Sequence, residues 1–142
     1  MRLSYLFPLV LLAVVLAGCS AAPATAPKAS PVAPARTLNL APDIDVATAE
    51  SLRGQPDVVM LDVRTPEEYA QGHIPGVVPI PLDQVPSRLA EIPKDKTVIV
   101  TCRSGNRSNQ AAQLLRQRGY DKVHNMLGGI VEWEKAGYPV EK

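Results

Sequence analysis

The segment "TCRSGNRSN", from Thr101 to Asn109, places a cysteine among two arginines, a glycine and several short polar residues. It follows a run of β-branched residues and precedes a run with helical spacing, so Cys102 is predicted to lie at a strand-to-loop corner. A loop that leads directly into a helix presents unpaired backbone N–H groups and the positive end of the helix dipole. Such surroundings lower the pKa of a thiol. We therefore predict that Cys102 is a reactive thiolate rather than an inert buried cysteine.

The residues after Cys102 are also suited to binding an anion. Arginines supply full positive charge, glycine permits a tight turn, and short polar side chains add hydrogen-bonding groups. No metal site or cofactor is predicted, because the two histidines of the chain are dispersed and do not form a ligand set. The predicted anion-binding residues are Arg103, Ser104, Gly105, Asn106, Arg107 and Ser108.

The N-terminus has the pattern of a targeting segment. Arg2 precedes an apolar stretch, Leu3 to Leu16, that is too short for a comfortable membrane span and is typical of a secretory signal. The stretch closes with "LAGC", which resembles the lipobox of bacterial lipoproteins, where cleavage leaves a diacylglycerol-bearing cysteine at the N-terminus. We predict a signal peptide over residues 1–18 and lipidation at Cys19. The alternative is an ordinary signal peptide with a chance cysteine.

A low-complexity stretch separates this segment from the rest of the chain. The sequence "SAAPATAPKASPVAPAR", Ser20 to Arg36, cannot bury enough apolar surface to offset its conformational entropy. Residues 19–36 are therefore predicted to be a lipidated cysteine and a proline-stiffened tether. Residues 37–142 have the length of one domain. The predicted location is extracytoplasmic, on a membrane-anchored lipoprotein at the periplasmic face or the cell surface.

Charge and cysteine usage narrow the possible partners. The 15 Lys and Arg include Arg2, so removing the signal leaves 14 basic against 14 acidic residues. This balance does not suggest binding to nucleic acid or a broad electrostatic membrane patch. If Cys19 is lipidated, Cys102 is the only remaining thiol and no internal disulfide can form. Oligomeric state is not indicated by the sequence.

Two continuous apolar runs predict strands buried on both faces of a parallel sheet, at Asp57 to Val63 and Lys96 to Cys102. Weaker strand patterns occur at Val77 to Ile80, at Lys122 to Met126 and near Leu38 to Leu40. Because ligands bind beyond the carboxyl ends of parallel strands, Asp62 and Cys102 are expected at the same edge of the sheet.

Helices are predicted between these strands, which indicates an α/β fold with helices on both faces of the sheet. Asp45 is a candidate N-cap, and "TPEE" from Thr65 reads as a capping box with proline at the first helical position. The clearest helix spans Asn106 to Arg118, with Gly119 as a candidate C-cap. The remaining predicted helices are Val46 to Arg53, Thr65 to Ala70, Leu82 to Ile92 interrupted by Pro86, and Gly128 to Ala136.

Three motifs together resemble a single-domain rhodanese, a sulfurtransferase: "LDVRTPEEYAQGHIPGVVPIP", "VTCRSGNRSNQAAQLLRQRGY" and "LGGIVEWEKAGYPV". The resemblance covers Thr37 to Val140. It implies a five-stranded parallel sheet, Cys102 as the sulfur-carrying nucleophile, and an anion cradle formed by the amides of Arg103 to Ser108. The partners that it implies are an anionic, thiosulfate-like sulfur donor and a thiol or cyanide acceptor.

Two other functions are compatible with this resemblance. One is a phosphatase or arsenate reductase, because cell-cycle phosphatases look like relatives on the same fold. Their loop has an arginine six positions after the cysteine, whereas here that position is Ser108 and the arginine is Arg107. The other is a non-catalytic binding module, although such domains often lack the cysteine.

Other polar residues near the predicted site are assigned structural roles. Asp62 and Arg64 lie at the predicted edge, and Arg64 is expected to reach Glu67 or Glu68 and tie the strand to the next helix. His73 in "GHIPG" is expected to be a hydrogen-bonded corner residue. The "LGG" segment from Leu127 is expected to shape a loop near the site.

Overall fold

The computed structural model describes residues 38–142. Five parallel strands form the sheet: β1 (Asp43–Ile44), β2 (Val58–Asp62), β3 (Val78–Pro79), β4 (Thr97–Thr101) and β5 (Val123–Met126). Their spatial order is β1-β5-β4-β2-β3. The predicted α/β class and five-stranded parallel sheet are confirmed.

The two apolar runs form the centre of the sheet. Every residue of β4 is buried, and β2 is buried except for half-buried Val59. The two strands pair along their whole length, with Asp62 opposite Thr101 at the last position. The loops that follow Asp62 and Thr101 therefore begin side by side at the carboxyl edge of the sheet.

Residues 38–142 contain four α-helices: α1 (Val46–Leu52), α2 (Pro66–Gln71), α3 (Asn106–Gln117) and α4 (Gly129–Lys135). The first three connect successive strands, and α4 follows β5. The Asp45 side chain accepts the Thr48 N–H at 2.7 Å, and the capping box between Thr65 and Glu68 is formed. Both predicted helix starts are confirmed. Helix α3 ends with Arg118 at the C-cap, and Gly119 follows with a φ of +79°.

Apolar side chains pack on both faces of the sheet. On one face, Ala111, Ala112 and Leu115 of α3 pack with the strand residues Leu61, Val98 and Val100. On the other face, residues of α1 and α4 pack with Met60 and Ile99. Trp133 of α4 is completely buried there. Alternate residues of one strand thus point into different cores, which is why the strands are apolar throughout.

Three predicted elements differ from the structure. The first strand is at Asp43–Ile44 rather than Leu38 to Leu40, whose leucines only pack against the core. The predicted helix over Leu82 to Ile92 is wrong, since that segment forms turns and a short 3-10 helix, Leu89–Glu91. A proline at position 86 lacks an N–H and would clash with the preceding helical turn. β3 is shorter than predicted, and Pro79 limits its hydrogen bonding at the sheet edge.

The predicted signal peptide, the lipidation site Cys19 and the tether over residues 19–36 lie outside the described residues. Within residues 38–142, no helix combines the length and the apolar character needed to cross a membrane.

Candidate active site

Cys102 follows directly after the last residue of β4 and is only 1% exposed. Its Sγ atom accepts a hydrogen bond from the Gly105 N–H at 3.1 Å, so the loop curls back over the sulfur. Gly105 has a φ of +97°, a conformation that residues with a Cβ rarely adopt. A Cβ at this position would also lie 3.2 Å from the Gly128 nitrogen. The glycine therefore permits both the turn and the close packing of the loop.

The hydrogen bonds around the sulfur favour its ionised form. Burial is the largest single influence and raises the pKa of Cys102, but the hydrogen bonds together outweigh it. They come from the Ser108 hydroxyl and from the backbone of Ser108, Ser104 and Gly105, and the net pKa of Cys102 lies below its usual value. Convergent donors can therefore stabilise negative charge on this sulfur.

Ser108 links the sulfur to the neighbouring strand. Its Oγ lies 3.4 Å from Cys102 Sγ and donates to Asn125 Oδ1 at 2.6 Å. Asn125 lies on β5, and its Nδ2 donates to Asp43 Oδ1 at 2.9 Å. Ser108 is completely buried and Asn125 nearly so. The chain of side chains thus runs from the sulfur to the edge strand β1.

The start of helix α4 packs against the backbone of the Cys102 loop. The Ile130 N–H donates to Cys102 O at 2.9 Å, and the Val131 N–H donates to Arg103 O at 3.3 Å. Gly129 has a φ of +57°, and a Cβ there would collide with Cys102 O and lie 2.6 Å from the carbonyl carbon of Arg103. The first residues of α4 therefore hold the backbone of the loop, which confirms that the "LGG" segment shapes it.

The guanidinium of Arg107 is paired with a carboxylate and is not free at the opening of the loop. It forms a two-pronged ion pair with Glu68 of α2, at 2.6 and 2.7 Å. The hydrogen bonds from Arg107 lower the pKa of Glu68 to about 2. The pair joins α2 to α3 beside the loop, with roughly a third of each side chain exposed (31% and 28%). A cation held in this way is already largely neutralised.

Arg103 is arranged differently, because its side chain is exposed and has no hydrogen-bond or ion-pair partner among residues 38–142. It lines an open groove of about 390 Å³ beside the loop. The groove runs between α2 and α4, where Gln71 and Glu134 also line it. Arg103 is therefore the loop cation that is free to meet an incoming anion.

The Asp62–Arg64 pair is part of the scaffold. Arg64 Nε and Nη2 donate to the Asp62 carboxylate at 2.7–3.0 Å, and both side chains are buried. Arg64 also donates to the backbone oxygens of Glu68 and Gly72. The predicted tie from strand to helix is confirmed, since Arg64 reaches Glu68, although it binds the backbone oxygen of that residue. Asp62 is the carboxylate that Arg64 uses.

His73 is a corner residue, as predicted. Its ring stacks on Tyr69 with centroids 3.8 Å apart, and its Nδ1 lies 3.2 Å from Tyr69 O. Its backbone exchanges two hydrogen bonds with Glu141 near the C-terminus. These contacts place it in the scaffold rather than beside the sulfur.

The predicted site residues therefore divide into three groups, one of which is Arg107 alone, held by Glu68. The sulfur of Cys102 is contacted by Ser108 and by the backbone of Ser104 and Gly105. Arg103, Asn106 and the Ser104 side chain are exposed at the surface of the loop. Glu68 and Asn125 were not predicted as site residues. The sequence around Glu68 indicates a helix cap but not its ion pair with Arg107. Nothing in the sequence around Asn125 indicates its contact with Ser108.

No cluster of three or more metal-ligating His, Cys, Asp or Glu side chains occurs within residues 38–142. A site formed by one thiol and several neutral donors is suited to nucleophilic chemistry on an anion.

Comparison with known proteins agrees with this fold and site. Residues 45–136 match the rhodanese-like domain family. The chain is 46% identical over 92 residues to a sulfurtransferase of Allochromatium vinosum, which covers 65% of this chain and 86% of that protein. This chain belongs to the rhodanese-like domain family.

Solved structures show the same likeness. A rhodanese-related protein of Thermoplasma volcanium has a TM-score of 0.65 and 32% identity, over 70% of this chain and 96% of that one. A Rhodopseudomonas palustris protein of unknown function, described as a possible tyrosine phosphatase, has a TM-score of 0.64 and 28% identity, over 70% and 83% of the two chains.

Proposed function

We propose that this protein is a sulfurtransferase that carries a sulfane sulfur on Cys102 as a persulfide. The observation that supports this most directly is the position of Cys102 Sγ, 3.1 Å from the Gly105 N–H beneath a loop of convergent donors. Membership of the rhodanese-like family and similarity to the Allochromatium vinosum sulfurtransferase support the same reaction class. Thiosulfate or a similar anion is the proposed donor.

In the first step, the Cys102 thiolate attacks the outer sulfur of thiosulfate. A bond forms between Sγ and that sulfur, the S–S bond of thiosulfate breaks, and its electron pair leaves with sulfite. The lowered pKa of Cys102 increases the thiolate fraction available for attack. The donors that lower this pKa are already in place, so little reorganisation accompanies the reaction.

In the second step, an acceptor removes the outer sulfur. A thiolate or cyanide forms a bond to it, the bond to Sγ breaks, and the electron pair returns to Cys102 as the thiolate. Because the donor's product leaves before the acceptor reacts, ping-pong kinetics are expected. The open groove beside Arg103 gives an acceptor room to approach the loop.

Arg103 is the proposed anchor for the charged end of the donor. It is exposed beside the groove, whereas Arg107 is already bound to Glu68. Arg107 then serves mainly to position α3 relative to α2. This assigns different tasks to the two arginines of the loop.

The proposal is tested by treating the protein with thiosulfate and measuring its mass. We expect one added sulfur, located on Cys102 by peptide mapping and removed by cyanide. Cys102→Ser should add no sulfur and should lose at least about a thousandfold in turnover, since the nucleophile is absent. Ser87→Ala is the matched control, because it alters an exposed serine side chain outside the loop. Sulfur loading or near-normal turnover in Cys102→Ser would disprove the proposal.

A phosphatase function is the second candidate because of the similarity to the Rhodopseudomonas palustris protein. The arginine near the end of the loop is turned to Glu68 at 2.6 Å and is not free to bind a phosphoryl group. Hydrolysis of an aryl phosphate faster than thiosulfate turnover would favour this function. A non-catalytic module would instead show slow, thiol-like alkylation of Cys102 and no turnover of either substrate.

We also propose that the domain is attached to a membrane through lipid on Cys19, outside the cytoplasm. The "LAGC" pattern and the proline-rich stretch after it support this. In cells that express the full chain, the protein should fractionate with membranes and incorporate labelled fatty acid. Cys19→Ser should abolish both, and Cys102→Ser should change neither. Labelling that survives Cys19→Ser would contradict the assignment.

A further inference from the structure

A line of polar side chains connects the reactive sulfur to the edge of the sheet. Ser108 Oγ lies 3.4 Å from Cys102 Sγ and 2.6 Å from Asn125 Oδ1, and Asn125 Nδ2 lies 2.9 Å from Asp43 Oδ1. Ser108 and Asn125 are 0% and 3% exposed, so water cannot replace these partners. Only Asp43, at the end of the line, is exposed.

The chemistry of these groups fixes the direction of each hydrogen bond. A carboxylate only accepts hydrogen bonds, so Asn125 must turn its NH2 group toward Asp43. Its Oδ1 atom then faces Ser108, and because an amide oxygen also only accepts, the Ser108 hydroxyl must donate to it. A hydroxyl has one proton. While that proton is given to Asn125, it is not available to Cys102.

We propose that Asn125 is a positioning residue that competes with Cys102 for the hydroxyl proton of Ser108. When Cys102 is a thiol, its S–H donates to Ser108 Oγ and the Ser108 hydroxyl donates to Asn125. When the sulfur ionises, the hydroxyl turns to Sγ and leaves the buried Asn125 oxygen without a donor, which is unfavourable. Asn125 therefore opposes the ionisation that the backbone amides promote.

This competition matters for sulfur transfer, and the following step rests on the proposed function. In the persulfide the negative charge lies on the outer sulfur, and Sγ is bonded to two atoms and is neutral. Sγ then no longer needs the hydroxyl proton, which returns to Asn125. The Ser108–Asn125 contact thus favours the loaded persulfide relative to the bare thiolate.

The test measures the rate of Cys102 alkylation by iodoacetamide as a function of pH. Asn125→Leu removes the competing oxygen at similar volume, so Ser108 can donate to the sulfur alone. We expect the midpoint of this profile, the pH of half-maximal alkylation rate, to be lower than in the wild type. Below the midpoint, alkylation should be about tenfold faster than in the wild type, because hydrogen bonds to charged groups are stronger than those to neutral groups. Ser108→Ala should shift the midpoint in the opposite direction.

A double variant separates this mechanism from a general loss of structure. Since Asn125 acts through Ser108, Asn125→Leu/Ser108→Ala should have the pH profile of Ser108→Ala alone. Two additive shifts would overturn the proposal, because they would show that Asn125 acts on the sulfur by another route.

Asp43→Ala provides a second route that leaves the buried side chains intact. Without Asp43 the Asn125 amide can turn over and donate to Ser108 Oγ, which frees the hydroxyl proton for the sulfur. We expect a lower midpoint, as in Asn125→Leu. Loss of the negative charge of Asp43 would also lower the midpoint. The measurement is therefore repeated in the Ser108→Ala background, where the hydroxyl is absent and only the charge effect can remain.

The other charged groups around the sulfur stay the same in every variant. They are Arg103 in the loop, Arg107 on α3, Glu68 on α2, Asp62 at the end of β2 and Arg64 just after it.

An unchanged or higher midpoint in both Asn125→Leu and Asp43→Ala would overturn the proposal, as would an Asn125→Leu shift that persists without Ser108. Alkylation reports on the thiol itself. A failure of thiosulfate to load sulfur would therefore count against the proposed function and leave this result standing.

Discussion

The loops after β2 and β4 begin side by side, with Asp62 opposite Thr101, yet they are stabilised in opposite ways. After β2, Arg64 folds back onto Asp62, and the two buried charges neutralise each other. After β4, the partners of Cys102 Sγ are neutral donors, the Gly105 N–H and the Ser108 hydroxyl. The first loop has no charge left for a ligand, whereas the second can accept negative charge on its sulfur.

The Glu68–Arg107 pair differs from the buried Asp62–Arg64 pair in its exposure to water. It joins two helices beside the site, but it is partly exposed and its charges are screened by water. The comparison indicates that paired charges build the frame of this edge, whereas neutral donors surround the sulfur. The following predictions test that division, beginning with the largest expected effect.

Arg64→Met should destabilise the protein by about 3–5 kcal/mol, because it leaves the Asp62 carboxylate buried without its partner. Denaturation by urea measures this directly. Arg88→Met is the matched control, since Arg88 pairs with Glu91 at the surface, and it should cost less than about 1 kcal/mol. Equal losses in the two variants would contradict a scaffold role for the buried pair.

Gly129→Ala should reduce thiosulfate turnover about a hundredfold, because the new methyl group would displace the backbone of Cys102 and Arg103. Gly54→Ala is the control. Gly54 also has a positive φ, of +78°, but a Cβ there would meet nothing within 4 Å. Both variants should lose some stability from backbone strain, and only the first should lose activity. Similar turnover in the two would show that α4 does not hold the loop.

Arg103→Gln should raise the KM for thiosulfate about tenfold with little change in kcat, as expected when an exposed cation binds an anion in the ground and transition states alike. Arg107→Gln should change KM less and should mainly reduce stability, because Glu68 loses its partner. Steady-state kinetics with thiosulfate as the varied substrate distinguish the two. The opposite ranking would assign donor binding to Arg107.

Glu68→Gln should cost about 1 kcal/mol of stability at neutral pH, the upper range for a partly exposed pair. The folded pKa of Glu68, about 2, lies below its ordinary value of 4.5. The stabilisation is therefore complete above pH 4.5 and is lost as the pH falls toward about 2. Urea denaturation at several pH values in that interval should show that the difference in free energy of unfolding between wild type and variant becomes smaller as the pH falls. A constant difference would mean that the ion pair is not its source.

The elements that could be predicted from the sequence are those determined by near neighbours. Asp45 and Thr65 cap helices through residues three positions away, and the apolar runs of β2 and β4 show their burial directly. Cys102 could be recognised because the residues that form its loop are contiguous. The error over Leu82 to Ile92 also has a local cause, since Pro86 prevents helix formation in this segment rather than merely interrupting a helix.

The parts that could not be predicted depend on residues far apart in the chain. Arg107 meets Glu68 across 39 positions, and Ser108 meets Asn125 across 17. Both contacts exist only because the sheet order places α2 and β5 on either side of the loop. Sequence spacing carries no information about such pairs. The different tasks proposed for Arg103 and Arg107 therefore became visible only in three dimensions.

The depth of Cys102 also bears on how the protein withstands oxidants. Oxidation of a cysteine to sulfinic acid requires access to a reactive sulfur, and Cys102 is only 1% exposed, so little of its sulfur is open to an oxidant. A carried sulfur would extend about 2.0 Å beyond it and would be the first atom that a peroxide meets. Reductive removal of an oxidised outer sulfur would restore the thiol of Cys102, so this oxidation would be reversible and the side chain would stay intact.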